Sequence, residues 1–336
     1  MNVSDLEHFR DLLLEREQTL QYFLKSMSDT NGDDLAKAQG LLTEIKDALS
    51  RVDDHSFGKC KVCDGEVELY RLEVQPVTEV CLSCISKKEQ ALLEEELLVA
   101  SKIHRALLPQ TIARIDGFDV AVRSYAARNV GGDYYDFLEP DNGGPVRVVI
   151  ADSMGSGLPA GLLMSNLQGA LRVLAEDILS PAPLVARLNQ WLVRNVPVTK
   201  FVSLTCLSLE NPSAPQTTMV HTNAGHCPTI LIRNDGSCHL LQSTGGVLGV
   251  HPGFEYEEDR LTLSSGDLLL LFTDGVSEAA NADEEMFGED QLVKLVQEHR
   301  TKPINSLVED IVERVLKFTE QDKLDDDLTI IALRKH

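Results

Sequence analysis

The chain has 336 residues, enough for roughly two domains. Its 43% apolar and 25% charged residues are those of a globular protein and exclude disorder as the main state. Thirty-one Lys and Arg against 53 Asp and Glu give a net charge of −22, a field that argues against a nucleic-acid partner. No apolar run reaches the ~18–20 residues of a membrane span.

Residues 4–27 and 33–53 are predicted as two helices. In the second, Leu35, Ala38, Leu42, Ile45, Leu49 and Val52 step by threes and fours. In the first, Leu6, Phe9, Leu13, Leu20, Phe23 and Met27 keep nearly the same seam, with Arg16 interrupting it. Each helix therefore carries one apolar stripe. Ser-Asp-Thr-Asn-Gly-Asp (28–33) is a turn signal between them, so the pair reads as an antiparallel hairpin.

Four of the seven cysteines follow within 25 residues. Cys60 and Cys63 form one Cys-x2-Cys knuckle, and Cys81 and Cys84 form another. Two knuckles offering four thiolates suit one tetrahedral Zn²⁺, and the closed shell makes that zinc structural. The odd cysteine total and an acidic, amphipathic start without signal-peptide character suit a reducing cytoplasm. The stretch from about 40 to 88, with Phe-Gly-Lys-Cys-Lys-Val-Cys-Asp-Gly-Glu-Val at its centre, resembles the DksA/TraR-type zinc finger. Longer DksA-like proteins enter the RNA polymerase secondary channel with an acidic hairpin tip of Asp-x-x-Asp-x-Ala pattern. That pattern is missing at 28–36, so the resemblance implies assembly, sensing or partner docking here.

Residues 85–108 read as one helix, free of Gly and Pro and stopped by Pro109. Leu92, Leu93, Leu97, Ala100, Ile103 and Leu107 give it a broad apolar stripe. It serves either as a linker packed on the next domain or as a dimerising coiled coil. Beyond 111, strands are predicted at 118–126, 146–151, 201–209, 216–222, 228–233, 260–263, 268–273 and 328–334. Helices are predicted at 158–176, 181–195, 288–299 and 303–319. Such segregation of helices from antiparallel strand runs indicates an α+β layered domain.

Aspartates recur where these strands start or stop: Asp133 after a glycine pair, Asp152 at the end of an apolar run, Asp274 after another, and Asp326 and Asp327 before the last strand. Carboxylates at one sheet rim are rigidly held, repel one another without cations, and as hard oxygen donors favour Mg²⁺ or Mn²⁺.

The words carrying them are Val-Gly-Gly-Asp-Tyr-Tyr-Asp (130–136), Ala-Asp-Ser-Met-Gly-Ser-Gly (151–157), Thr-Asn-Ala-Gly-His-Cys-Pro (222–228), Phe-Thr-Asp-Gly-Val-Ser-Glu-Ala (272–279) and Asp-Asp-Leu-Thr (326–329). In this order they resemble the metal-dependent protein phosphatase family, in its bacterial SpoIIE/RsbU-type branch, over residues 94–335. The resemblance implies a four-layer αββα sandwich and two catalytic Mn²⁺ or Mg²⁺ ions. By it, Asp152 bridges the ions, and the Ser153 carbonyl holds one of them. Asp274 and Asp326 complete one shell, with Asp327 the alternative to Asp326, and Asp133 serves the second ion. Asp136 is expected as a supporting group, Arg128 as the candidate phosphate contact, and His226 as a turn histidine or proton carrier.

The expected organisation is a helical hairpin (1–57), a zinc finger (58–86), a linker helix (87–110) and a phosphatase domain (111–336). The expected function is hydrolysis of phosphoserine or phosphothreonine by metal-activated water. The implied substrate is a regulator such as an anti-sigma-factor antagonist, acted on by a cytoplasmic homodimer under control of the N-terminal module. The competing reading is a catalytically silent adaptor or polymerase-binding regulator.

Overall fold

A computed structural model describes residues 3–26, 32–85, 87–112, 114–139, 144–197, 199–320 and 324–336. The chain divides into two compact units, Met1–Glu95 and Glu96–His336. No described helix is long and apolar enough to cross a membrane.

In the first unit, α1 (Val3–Ser26) and α2 (Gly32–Asp53) are the predicted pair. Phe9 and Leu13 pack on Ile45, Ala48 and Val52, and Arg10 meets Asp53 at 2.6 Å. The ends near 10 and 53 are therefore neighbours, as an antiparallel hairpin requires. The turn proposed at 28–33 falls mostly outside the described residues, as do Met27 and the side chains of Phe23 and Leu35. Arg16, which interrupts the seam, turns outward and donates to the Val74 carbonyl at 3.3 Å. That carbonyl closes α3 (Leu69–Val74). The hairpin core continues into Phe57, Cys60, Val67, Leu72 and Cys81, so helices and cysteine knuckles share one small interior.

The helix α4 (Lys87–Leu107) follows. The second unit is a sandwich of two five-stranded antiparallel sheets. One runs in the order β1 (Phe118–Tyr125), β10 (Leu328–Lys335), β9 (Leu268–Phe272), β6 (Thr229–Ile232), β7 (Cys238–Leu241). The other runs β2 (Asp133–Leu138), β3 (Val146–Ser153), β4 (Val202–Glu210), β5 (Gln216–Ala224), β8 (Asp259–Ser264). Alternation within the strands builds the layers. In β3, Val148 and Ile150 face the interior between the sheets, while Val149 and Ala151 face α5 (Leu158–Asp177) and α6 (Pro181–Asn195). In β9, Leu269 and Leu271 face inward, while Leu268, Leu270 and Phe272 face α8 (Glu289–His299) and α9 (Ile304–Thr319). The result is the expected αββα arrangement.

Two strands escape the sequence reading. β7 is a four-residue edge strand with His239 and Leu240 exposed. β2 begins on Asp133 and contains Asp136, so its charge hides its alternation. Asp136 is nonetheless buried. It accepts the Tyr134 hydroxyl and binds Arg172 of α5 through Nε at 2.9 Å. This tie holds the helix layer to β2. Asp136→Ala is expected to lower stability by about 2–3 kcal/mol, read as an earlier urea midpoint of the second unit, with turnover per folded molecule kept.

Candidate metal centres

The acids meet where strand ends from both sheets reach one rim. Asp133 and Asp152 are direct register partners across β2 and β3. Asp274 opens the short helix α7 (Asp274–Ser277), one residue beyond β9 and Thr273. Asp326 and Asp327 lead into β10. Thr273 joins the sheets. Its hydroxyl donates to Asp133 Oδ2 at 2.8 Å and accepts the Thr329 amide at 2.9 Å. Two glycines permit the close approach. A Cβ on Gly132 would stand 3.0 Å from the Ser153 carbonyl oxygen, and one on Gly275 would stand 2.0 Å from that of Asp327.

The electrostatics are those of crowded anions. Burial pushes the Asp152 carboxyl up to about 8, helped by Asp274, Asp326 and Asp327. Burial also raises Asp274 to about 6, with Asp326 and Glu278 adding to it. Burial and the Asp152 charge push Asp133 well above the carboxylate range. Asp326 is raised by burial and by Asp327, against the pull of Arg128. Asp133 Oδ1 is buried without any hydrogen-bond partner among the described residues. An orphaned carboxylate oxygen among mutually repelling oxygen donors fits hard divalent cations.

Asp327 differs from its neighbour. One of its oxygens accepts the Ala127 amide at 2.7 Å, and the other accepts the Gly132 amide. Both oxygens are thus engaged in holding the 127–132 loop beneath Asp133. Among the described residues, Asp326 accepts only the Asp327 amide, at 2.8 Å. Ser153 is buried, its hydroxyl donating to the carbonyls of Gly132 and Ala160 at 3.1 Å. Arg128 lines a cavity together with Asp133 and Asp327. His226 is buried, and burial drives its pKa down to about 4. Its Nδ1 shares a 2.7 Å hydrogen bond with Ser203 Oγ, and Ser203 is the register partner of Asp152. A neutral, enclosed imidazole of this kind is a brace for the rim and a poor proton carrier. The sequence reading singled out neither Thr273 nor Ser203. Their partners lie 140 and 23 residues away in the chain, so no local pattern marks them.

The four cysteines form the other centre. Their sulfurs all lie within 4.8 Å of one another, and among the described residues this is the one group of metal-ligating side chains gathered so tightly. The Cys81 amide donates to Cys60 Sγ at 3.3 Å and, as the leading cause, holds that thiol down to about 6. Four soft donors, one already favoured as thiolate, fit Zn²⁺.

Comparison with known proteins agrees on both units. Residues 55–90 match the prokaryotic dksA/traR C4-type zinc finger. Over 44 residues the chain is 36% identical to RNA polymerase-binding transcription factor DksA of Escherichia coli K12, covering 13% of this chain and 29% of that protein. The SiaA-PP2C domain of Pseudomonas aeruginosa is similar in fold, with a TM-score of 0.64 and 20% identity over 74% of this chain and 99% of that one. Phosphoserine phosphatase RsbU of Bacillus subtilis is 28% identical over 72% of this chain and 71% of that protein. The second unit therefore has the fold of a PP2C-type phosphatase domain. Residues 142–336 match the family described as stage II sporulation protein E, and the chain belongs to this SpoIIE family.

Proposed function

We propose that the chain is a divalent-metal-dependent phosphatase that removes phosphate from serine or threonine of a regulatory protein, such as an anti-sigma-factor antagonist. The observation that carries this reading is the rim of acids drawn from both sheets, with Asp133 Oδ1 left without a partner. Asp133, Asp152, the Ser153 carbonyl, Asp274 and Asp326 would hold two Mg²⁺ or Mn²⁺ ions. When bound, such ions neutralise the phosphate and lower the pKa of a water between them. The protein's own part is to fix those oxygens on strand ends, to brace them through Thr273 and His226, and to offer Arg128 to the phosphate. The engagement of both Asp327 oxygens favours Asp326 as the ligand.

The proposed organisation is a hairpin (1–57), a zinc finger (58–86) with one structural Zn²⁺ on Cys60, Cys63, Cys81 and Cys84, a linker helix (87–110) and the phosphatase domain (111–336). The first three parts dimerise the chain and set its activity in the cytoplasm, without nucleic acid. The DksA-like finger favours a second reading, a silent adaptor docking on polymerase. The complete set of acids weighs against it.

Metal-dependent release of phosphate from phosphoproteins tests the main reading, and calorimetric titration of Mn²⁺ separates the two acids. Asp326→Asn is expected to lose one bound ion and about 10²-fold or more in turnover. Asp327→Asn is expected to keep the ion count and lose about 1–3 kcal/mol of stability, since an amide cannot accept both backbone N–H groups. Equal loss of an ion in both variants rejects the assignment.

A further inference from the structure

A cavity of about 350 Å³ opens beside the acids. Its walls include His104 and Arg105 from the last turn of α4, and Arg128 and Asn129 from the loop before β2. Asp133 and Asp327 also line it. Two atoms of its lining residues are buried without hydrogen-bond partners, His104 Nε2 and Asp133 Oδ1. These residues are only 7% and 5% exposed. Among the described residues, neither Arg105 nor Arg128 has a carboxylate within ion-pairing distance. The charge of Arg128 acts on Asp326 and lowers its pKa. Arg105 belongs to α4, whose end is seated firmly. Leu107 and Leu108 pack on the α5–α6 core, and Gln168 Nε2 donates to the Leu107 carbonyl at 3.2 Å.

We propose that this cavity receives the part of the substrate next to its phosphoserine, and that it selects an acidic side chain there through Arg105. The proposal rests on the phosphatase reading. With the phosphate held at the ions and Arg128, a neighbouring Glu or Asp would meet Arg105 in the same cavity. The surrounding domain, residues 111–336, carries 18 basic and 32 acidic residues. Its net charge disfavours an acidic peptide over the domain as a whole, so a pair of arginines lining this cavity would set the register in which such a peptide binds. Arg105 is a specificity residue that reaches the substrate from the helix preceding the sandwich.

The test is a binding cycle that needs no turnover. A fluorescent peptide carrying a non-hydrolysable phosphonate analogue of phosphoserine with flanking glutamates, and its counterpart with flanking alanines, are titrated by anisotropy against the full-length wild-type chain with Mn²⁺. The acidic peptide is expected to bind about tenfold tighter. Adding Arg105→Ala removes that preference, Arg105→Lys restores part of it, and Arg105→Glu turns it toward a lysine-flanked peptide. Equal affinity for the two peptides overturns the proposal, as does an equal loss for both in Arg105→Ala. A preserved preference in a chain that releases no phosphate under any metal would instead overturn the enzymatic reading alone.

Discussion

Asp152→Asn is expected to abolish phosphatase turnover, by about 10³-fold or more, while making the protein harder to unfold when no Mg²⁺ or Mn²⁺ is added. Both effects come from one position. Asp152 is the register partner of Asp133 and feels Asp274, Asp326 and Asp327 as like charges. Its carboxyl is pushed up to about 8 from 3.8, so between those values the folded chain binds more protons than the unfolded one. The stability this contributes is full below pH ~4 and is lost as pH rises through about 8. Asp274, raised to about 6, acts in the same direction over a narrower window. Without added ions, the melting temperature of the second unit should therefore fall by about 5 °C between pH 5 and pH 8. Mn²⁺ should reverse the fall, and Asp152→Asn should flatten it. Scanning calorimetry at both pH values checks this; a flat wild-type profile would show that the acids do not crowd one another.

The second large effect belongs to the cysteines. Cys60→Ser is expected to unfold the N-terminal unit, because the site's bound ion is worth about 10 kcal/mol of folding free energy in small zinc modules. Cys60 and Cys81 are also part of the interior that Phe9, Leu13, Phe57 and Leu72 build, so the loss spreads into the helices. Hydrogen exchange should show amides across 55–90 and the facing turns of α1 and α2 exchanging freely, with the sandwich strands still protected. Wild-type protection in a variant shown by elemental analysis to lack zinc would end the structural-zinc reading.

What the chain announces locally is read correctly from it. The cysteine knuckles are short-range patterns, and their four sulfurs do converge. The alternation in β3 and β9 gives both faces of the sandwich, as Val148 against Val149 and Leu269 against Leu270 illustrate. What depends on distant partners is not legible. β2 looks too charged for a largely buried strand because Asp136 finds its cation on α5. The run Asp325–Asp327 leaves the ligand open by one residue. What sets Asp327 apart from Asp326 is the pair of amides of Ala127 and Gly132, some 200 residues away, and the proposed ligand rests on them. Thr273 and Ser203 are ordinary strand-end hydroxyls until the fold sets an aspartate and a histidine against them.

The Thr273 hydroxyl has a mechanical implication. It comes from one sheet, and the aspartate it holds comes from the other. The grip on any cation is then only as true as the alignment of the two slabs, like jaws mounted on separate rails. Drift in the oily filling around Met219 and Leu333, well along their strands from the rim, would slide one jaw past the other. Appetite for ions would change there well before the molecule as a whole loosened.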